Sequence, residues 1–340
     1  MLITLPYKVL VDKDVTGKVA GTLESMNFGK NCAIICSSHI QGVCSNIVSE
    51  ISSSFEIDFV EPSSNESTHL KELAKNLSST DFVIGIGGGR SLDSAKYMAH
   101  LASKPWVAIP TILSNDGMLS SRAVLDDNGS KISTTAQEPS AIIADLGTIK
   151  KADYRYLAAG LGDLISNFSA VEDWKLAAKA GKEDYHEFMA RLSLLSAEAA
   201  ISHIKEIRNK DYHGLEILFW SLVSSGFAMN IYGSSRPCSG SEHNISHALD
   251  RLGSTALHGE QAALCTIIST HLQGGDWGKI KSMLEEAKLP TTAEETGIKR
   301  ENVIEALTIA KSVRNRYSIL DSIVITKQSA ERVLKETGII

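Results

Sequence analysis

Residues 81–89, Asp-Phe-Val-Ile-Gly-Ile-Gly-Gly-Gly, constrain the fold of this chain more than any other stretch. A short apolar run closes on three glycines, and residues 90–102 then take up helical periodicity. A buried strand, a sharp turn and a helix start form one βα unit. At such a turn the first N–H groups of the helix converge on any anion, helped by the positive end of the helix dipole. Gly87, Gly88 and Gly89 let the chain bend and let a ligand approach the backbone. The pattern is not GxGxxG and lacks the Lys-Ser/Thr of a Walker loop. A turn without ligand is the plain alternative, since glycine-rich turns of this kind are common. Arg90 reads either as a cation for a pyrophosphate or as a solvated surface charge. Ser91 and Asp93 lie where capping or the helix dipole also accounts for their residue types.

Around this unit, residues 31–36, 55–60, 106–109 and 141–144 read as further strands, with helical stretches near 42–53 and 90–102. Strands alternating with helices predict a largely parallel sheet covered on both faces. After Asp145 the texture changes to long helical patterns at residues 152–180, 185–209, 215–232, 241–252 and 258–272. The chain is therefore expected to have an α/β, Rossmann-like nucleotide-binding domain over 1–147. An all-α domain over 148–340 follows, with a site expected in the cleft between the two. A length of 340 residues agrees with two cores.

Composition excludes several classes. A net charge of −6 argues against general affinity for nucleic acid or an anionic bilayer. No apolar stretch is expected to span a membrane, and the first residues lack the basic and apolar regions of a signal peptide. Five cysteines without CxxC spacing read as reduced thiols, which suits a cytoplasmic protein.

The helical half carries the metal chemistry. His243 and His247 are four residues apart and share one helix face. His258 follows across a short loop containing Gly253, while Asp163 lies about eighty residues earlier, so its convergence is not visible from spacing. One carboxylate and two imidazoles leave a fourth position open, as catalytic metals require. Taken singly, each of the ten histidines reads as an ordinary structural residue. His247 has two functional readings, ligand or proton-relaying neighbour, beside a plain one as a helix-face histidine bonded to a carbonyl.

Five motifs in order then carry a resemblance. They are Gly87-Gly88-Gly89-x-x-x-Asp93-x-Ala95-Lys96, Pro110-Thr111-x-x-Ser114-Asn115-Asp116-Gly117 and Gly160-x-Gly162-Asp163-x-x-Ser166-Asn167. Gly240-Ser241-Glu242-His243-x-x-x-His247-Ala248-x-Asp250 and His258-Gly259-Glu260 complete the set. Over about residues 10–330 the chain resembles the metal-dependent alcohol dehydrogenase, glycerol dehydrogenase and dehydroquinate synthase superfamily. Its nearest likeness is to the archaeal-type glycerol-1-phosphate dehydrogenase family, in the Ser-Asn-Asp-Gly segment and in Ser234-Ser235-Arg236-Pro237 through His247.

The resemblance implies a dehydroquinate synthase-like fold, one Zn2+ per subunit on Asp163, His243 and His258, and NAD(H) or NADP(H) on Gly87, Gly88, Gly89, Arg90, Ser91 and Asp93. It places Thr111, Ser114 and Asp116 between nicotinamide and substrate, and gives Asp116 and His247 catalytic roles. The implied reaction is reduction of dihydroxyacetone phosphate to sn-glycerol 1-phosphate for membrane phospholipid backbones, by a homo-oligomer. Arg236 is the nearest candidate for the substrate phosphate, with an ion pair as its alternative. Asn167 stands where iron-dependent relatives carry a fourth ligand, which favours zinc. Ser37-Ser38-His39 after the 31–36 strand lacks the acid that repels a 2′-phosphate, so NADPH is expected to serve beside NADH. The rivals are a glycerol dehydrogenase on unphosphorylated glycerol, a dehydroquinate synthase-like lyase, and a non-catalytic nucleotide binder.

Overall fold

Phe82–Gly87 is fully buried and lies near the middle of a six-stranded parallel sheet. In this computed structural model residues 6–127 and 130–340 are described; residues 1–5, read above for a leader, and residues 128–129 lie outside them. The chain forms two compact units: Met1–Leu113 with Gly117–Asp153, and Ser114–Asp116 with Tyr154–Ile340.

The first unit contains β1 (Lys8–Asp12), β2 (Asn31–Ile35), β3 (Glu56–Val60), β4 (Phe82–Gly87), β5 (Trp106–Pro110), β6 (Arg122–Asp127), β7 (Ser130–Thr135) and β8 (Ala141–Asp145). Six of them pair in parallel in the order β1-β8-β5-β4-β2-β3, while β6 and β7 form an antiparallel hairpin. The continuously apolar runs β4, β5 and β8 are buried throughout, as inner strands covered on both faces must be. The half-exposed β1 takes one edge and was not among the strands expected from sequence. Ile34, Ile84, Ile86, Val107, Ile109 and Ile143 join one core. Each such side chain contributes roughly 1.5–3 kcal/mol on burial.

From β2 the chain moves outward to β3, then returns to β4 and moves the other way to β5. The ends of β2 and β4 therefore flank a topological switch point, where open α/β sheets bind ligands. The helix Gly89–Leu101 leaves from this point. One helix expected near 42–53 is two, Ser38–Val43 and Ser45–Ser52, because Cys44 (φ −102°, ψ 25°) departs from helical geometry between them.

The second unit is helical, with Tyr154–Lys179, Glu187–Ser202, Tyr212–Tyr232, Ser241–Arg251 and His258–Leu272 as its principal helices. Trp277–Glu286, Arg300–Ile309 and Lys327–Glu336 add three that the sequence reading did not single out. The pattern expected over 185–209 breaks at His203 (φ −121°, ψ 20°), and Ile204–Arg208 follows as a separate short helix. By length and composition alone Tyr212–Tyr232 is apolar enough to cross a bilayer, although His213 and Glu216 interrupt its apolar run. Most of it is buried inside the unit, with Leu215, Leu218, Phe219 and Leu222 enclosed, so its apolar character is that of a core helix.

Candidate active site

Asp163, His243 and His258 come from three helices of the second unit and meet. Asp163 Oδ1 lies 3.5 Å from His258 Nε2 and 3.7 Å from His243 Nε2, and the two ring nitrogens are 3.3 Å apart. A tetrahedral ion with bonds near 2.05 Å has ligand-to-ligand edges of about 3.3 Å. The triangle therefore suits such an ion after small shifts.

Glycine makes the meeting possible. A Cβ on Gly259 would stand 1.8 Å from Ala159 O, and one on Gly162 would stand 2.4 Å from Gly259 O. The helices Tyr154–Lys179 and His258–Leu272 thus cross backbone against backbone, immediately beside Asp163 and His258. Arg155 clamps the same pair, its Nε 2.5 Å and Nη2 2.8 Å from the two carboxylate oxygens of Glu260. Glu260 Oε2 also accepts the Leu257 N–H at 2.9 Å, which orders the turn entering His258.

Each ligand candidate is oriented from behind. His243 Nδ1 donates to Glu242 Oε1 at 2.8 Å, so Nε2 is the nitrogen left to face Asp163 and His258. Glu242 is fully buried and accepts from Ser169 Oγ (2.7 Å) and from the Gly240 N–H (2.5 Å). Asp163 Oδ2 accepts the Asp116 N–H at 3.0 Å, so Oδ1 is the oxygen facing the rings. Burial raises the Asp163 carboxyl, but the hydrogen bond with His243 and the His258 and His243 charges outweigh it and hold it low. Burial opposes charge on His243, yet Asp163 and Glu242 together raise it to about 9. Two carboxylates around one buried imidazole form a pocket that attracts a cation.

His247 shares this neighbourhood, its ring centroid 6.4 Å from His243 and 6.3 Å from His258. Burial lowers it to about 4, against the raising effect of Asp250, whose Oδ2 is 3.8 Å from Nδ1. Asp116 accepts Ser225 Oγ–H at 2.9 Å on Oδ2. Ser114 and Asp116 belong to the helical unit although their neighbours in sequence belong to the sheet unit. Asn167 donates to Ser193 O (3.1 Å) and Ser225 Oγ (3.3 Å), so its amide N–H groups are committed to neighbouring helices.

Arg236 is 1% exposed rather than on the surface. Its Nη2 donates to Asp173 O (2.9 Å) and Tyr317 O (2.8 Å), and Nε lies 2.9 Å from Glu183 Oε2. Sequence reasoning passed over Arg314 and Arg316, which reach the same segment. Arg314 donates to Ser239 Oγ (3.0 Å) and Ser235 Oγ (3.3 Å), and Arg316 to Ser239 O (2.6 Å) and Ser235 Oγ (2.9 Å). Glu242 is a further residue of the site that sequence pattern does not mark, because adjacent residues on a helix ordinarily point apart.

In the first unit, Gly87 has φ +141° and a Cβ on Gly88 would come 2.6 Å from Ile112 Cδ1. Gly87 is therefore a position that only glycine fills without strain, while at Gly88 an added carbon would have to displace the end of the Ile112 side chain. Gly89 starts the helix, Arg90 is exposed, and Ser91 lies beside Gly87, where a Cβ would meet its Oγ at 2.7 Å. Thr111 is buried, its N–H donating to Gly87 O at 3.0 Å. Asp93 faces inward: Oδ1 accepts from Lys96 Nζ (3.1 Å) and Oδ2 from the Val124 N–H (3.2 Å). Lys96, wholly buried, also donates to Gly117 O (2.6 Å) and Arg122 O (2.7 Å).

Comparison with known proteins agrees with this architecture. Residues 10–153 match the family model described as iron-containing alcohol dehydrogenase. The chain is 39% identical over 345 residues to the glycerol-1-phosphate dehydrogenase (NAD(P)+) of Thermococcus sibiricus, covering 100% of this chain and 98% of that one. It is 40% identical over 343 residues to the enzyme of the same name from Methanosarcina mazei, covering 99% and 96%. Among solved structures, a glycerol dehydrogenase from Schizosaccharomyces pombe superposes with a TM-score of 0.81 at 22% identity, over 99% of this chain and 90% of that one. Similarity of this extent to relatives along their whole length means that the chain belongs to the glycerol-1-phosphate dehydrogenase family.

Proposed function

We propose that the chain catalyses the NAD(P)-dependent interconversion of dihydroxyacetone phosphate and sn-glycerol 1-phosphate, with one zinc ion held by Asp163, His243 and His258. The observation that carries this reading is whole-length identity of 39% to a relative named for glycerol 1-phosphate. The buried Asp-His-His triangle, with edges of 3.3–3.7 Å, adds a donor set suited to a tetrahedral borderline cation. When bound, zinc acts as a Lewis acid toward the C2 oxygen, and the nicotinamide cofactor carries the hydride.

The chain's own residues do the remaining work. Glu242 fixes the His243 ring, and the Asp116 N–H fixes the Asp163 carboxylate, so neither ligand must reorganise during a turnover. Asp116, oriented by Ser225, accepts a substrate hydroxyl and thereby aligns the ketone. His247 relays a proton, through water or the cofactor ribose, to or from the C2 oxygen. The Gly87–Gly89 cradle and the start of the following helix receive the cofactor pyrophosphate, flanked by Arg90 and Ser91. Asp93 supports that turn through Lys96 and Val124, while Thr111 and Ser114 serve the nicotinamide end.

For the substrate phosphate, Arg236 has an Nη1 with no hydrogen-bond partner among the described residues. Arg314 and Arg316 add positive charge on the adjoining Ser235–Ser239 segment. Arg236→Ala should raise KM for the phosphorylated ketone far more than KM for the cofactor; an unchanged ratio removes Arg236 from the site.

The decisive test is a substrate panel on purified protein, with chiral analysis of the glycerol phosphate formed and metal content by mass spectrometry. Activity lost to chelator, restored by zinc and favouring glycerol 1-phosphate over glycerol supports the reading. Preference for free glycerol, or activity indifferent to chelator, refutes it. Rates with NADH and NADPH, light scattering for the homo-oligomer and cell fractionation for a cytoplasmic location complete the set.

A further inference from the structure

The helix Glu187–Ser202 stops at His203, Ile204–Arg208 makes one short turn, and the chain swings through Lys210 (φ +55°) into Tyr212–Tyr232. His203 and Glu206 are three residues apart and share a side of that corner. The next helix is pressed against it at Gly214, where a Cβ would stand 2.5 Å from Glu206 C and 2.6 Å from Ile207 N. No larger residue allows that approach, and it delivers His213 to the same spot. His213 Nδ1 lies 2.6 Å from Glu206 Oε2, and the His203 and His213 rings meet edge to face with centroids 5.3 Å apart. One ligand atom from each of the three residues lies within 4.8 Å of the other two.

His203 carries a second mark of a metal ligand. Its Nδ1 lies 2.9 Å from Ala199 O. A carbonyl only accepts, so Nδ1 bears the proton and Nε2 keeps its lone pair. Anchoring one ring nitrogen on a backbone carbonyl is how proteins present the other to a cation. An ordinary ion pair between Glu206 and His213 would not need the third residue.

We propose that His203, Glu206 and His213 form a second divalent-metal site, separate from the Asp163 trio, that takes zinc or a similar borderline cation. Two imidazoles and a carboxylate are the donors such ions select over magnesium or calcium. The His213 side chain is 64% exposed and that of Glu206 42%, so the ion enters directly from solvent and keeps water at its remaining position. It would tie the end of one helix to the start of the next around a five-residue corner. Because the three residues converge only in the folded chain, binding stabilises the native state by mass action. The inference does not depend on the proposed reaction.

The test uses the full-length chain with any affinity tag removed, stripped of metal and titrated with zinc alone by calorimetry and mass spectrometry. Wild type should take two ions per chain. His203→Ala and His213→Ala should each take one and keep full activity, while Asp163→Asn should lose the other ion. Glu206→Gln, which preserves shape, should weaken the second ion by more than the ~10–100-fold that loss of an outer-shell partner costs. Zinc should raise the melting temperature of Asp163→Asn but not of Asp163→Asn/His213→Ala. A single ion in wild type that disappears with Asp163→Asn overturns the proposal, as does a second ion indifferent to His203 and His213.

Discussion

Replacing Gly259 by alanine places a methyl carbon 1.8 Å from Ala159 O and 2.5 Å from Ala159 C. Ordinary contact begins near 3.4 Å, so the two helices must part by about 1.6 Å at their crossing. The obstruction is backbone, which no rotamer change relieves. Asp163 and His258 flank that crossing on opposite helices, and their ligand atoms are only 3.5 Å apart. A separation of that size takes the pair out of reach of one tetrahedral ion, whose ligand edges are about 3.3 Å. Overpacking of this kind costs about 1–3 kcal/mol of stability, and a misplacement of about 1 Å costs roughly 100-fold in rate. Gly259→Ala should therefore fold, melt several degrees lower, bind zinc at the trio at least tenfold more weakly and lose about 100-fold in kcat. Metal content after dialysis against a weak chelator, thermal melting and steady-state kinetics read the three effects. Gly21→Ala is the control: it lies in the helix Val19–Glu24 with nothing within 4 Å of the added carbon. It should stabilise by about 0.5–1 kcal/mol. If Gly259→Ala keeps stoichiometric metal and kcat within threefold of wild type, the crossing is not what assembles the site.

Three further outcomes follow from other contacts. Glu242→Gln removes the charge that faces His243 Nδ1 and should weaken zinc binding by about 10–100-fold, measured by competition with a chromophoric chelator; unchanged affinity would show that the ring needs no anchor. Lys96→Met leaves the Gly117 and Arg122 carbonyls and the Asp93 carboxylate without their shared buried cation, and should cost about 3–5 kcal/mol in urea unfolding; a loss below 1 kcal/mol would mean that water replaces it. Gly87→Ala puts an L side chain at φ +141° with its added carbon 2.8 Å from Ser91 Cβ, and should raise KM for NAD(P)H at least tenfold while zinc content stays unchanged; an unaltered KM would take the cofactor off this turn.

The sheet was largely legible because its inner strands are continuous apolar runs bounded by turn residues, as at residues 82–87 and 106–110. Lys8–Asp12 was not, since a half-exposed edge strand of five residues has too little pattern to separate it from a loop. Helix breaks at Cys44 and His203 escaped for a related reason: neither is a glycine or proline, so the bend follows from packing rather than local propensity. The burial of Arg236, read from sequence as a phosphate candidate or an ion-pair member, was not legible because its partners, the Asp173 and Tyr317 carbonyls, lie 63 and 81 residues away.

The Asp163, His243 and His258 trio shows what kind of information spacing omits. His243 and His247 announce a shared face, but nothing in eighty intervening residues says that Asp163 joins them. That fact resides in Gly162 and Gly259, whose missing side chains allow the helix crossing. Motif glycines beside a polar residue thus deserve reading as contact points between elements, not only as turns. Glu242 was hidden by the opposite effect. Successive residues on a helix point about 100° apart, so adjacency in sequence argues against contact between side chains. Here the helix begins at Ser241, and Glu242 in its first turn folds back to accept the Gly240 N–H at 2.5 Å. In that pose its Oε1 also lies 2.8 Å from His243 Nδ1, the ring nitrogen nearer the backbone. The neighbour relation arises from the start of the helix, and the same pair placed in mid-helix would not make it.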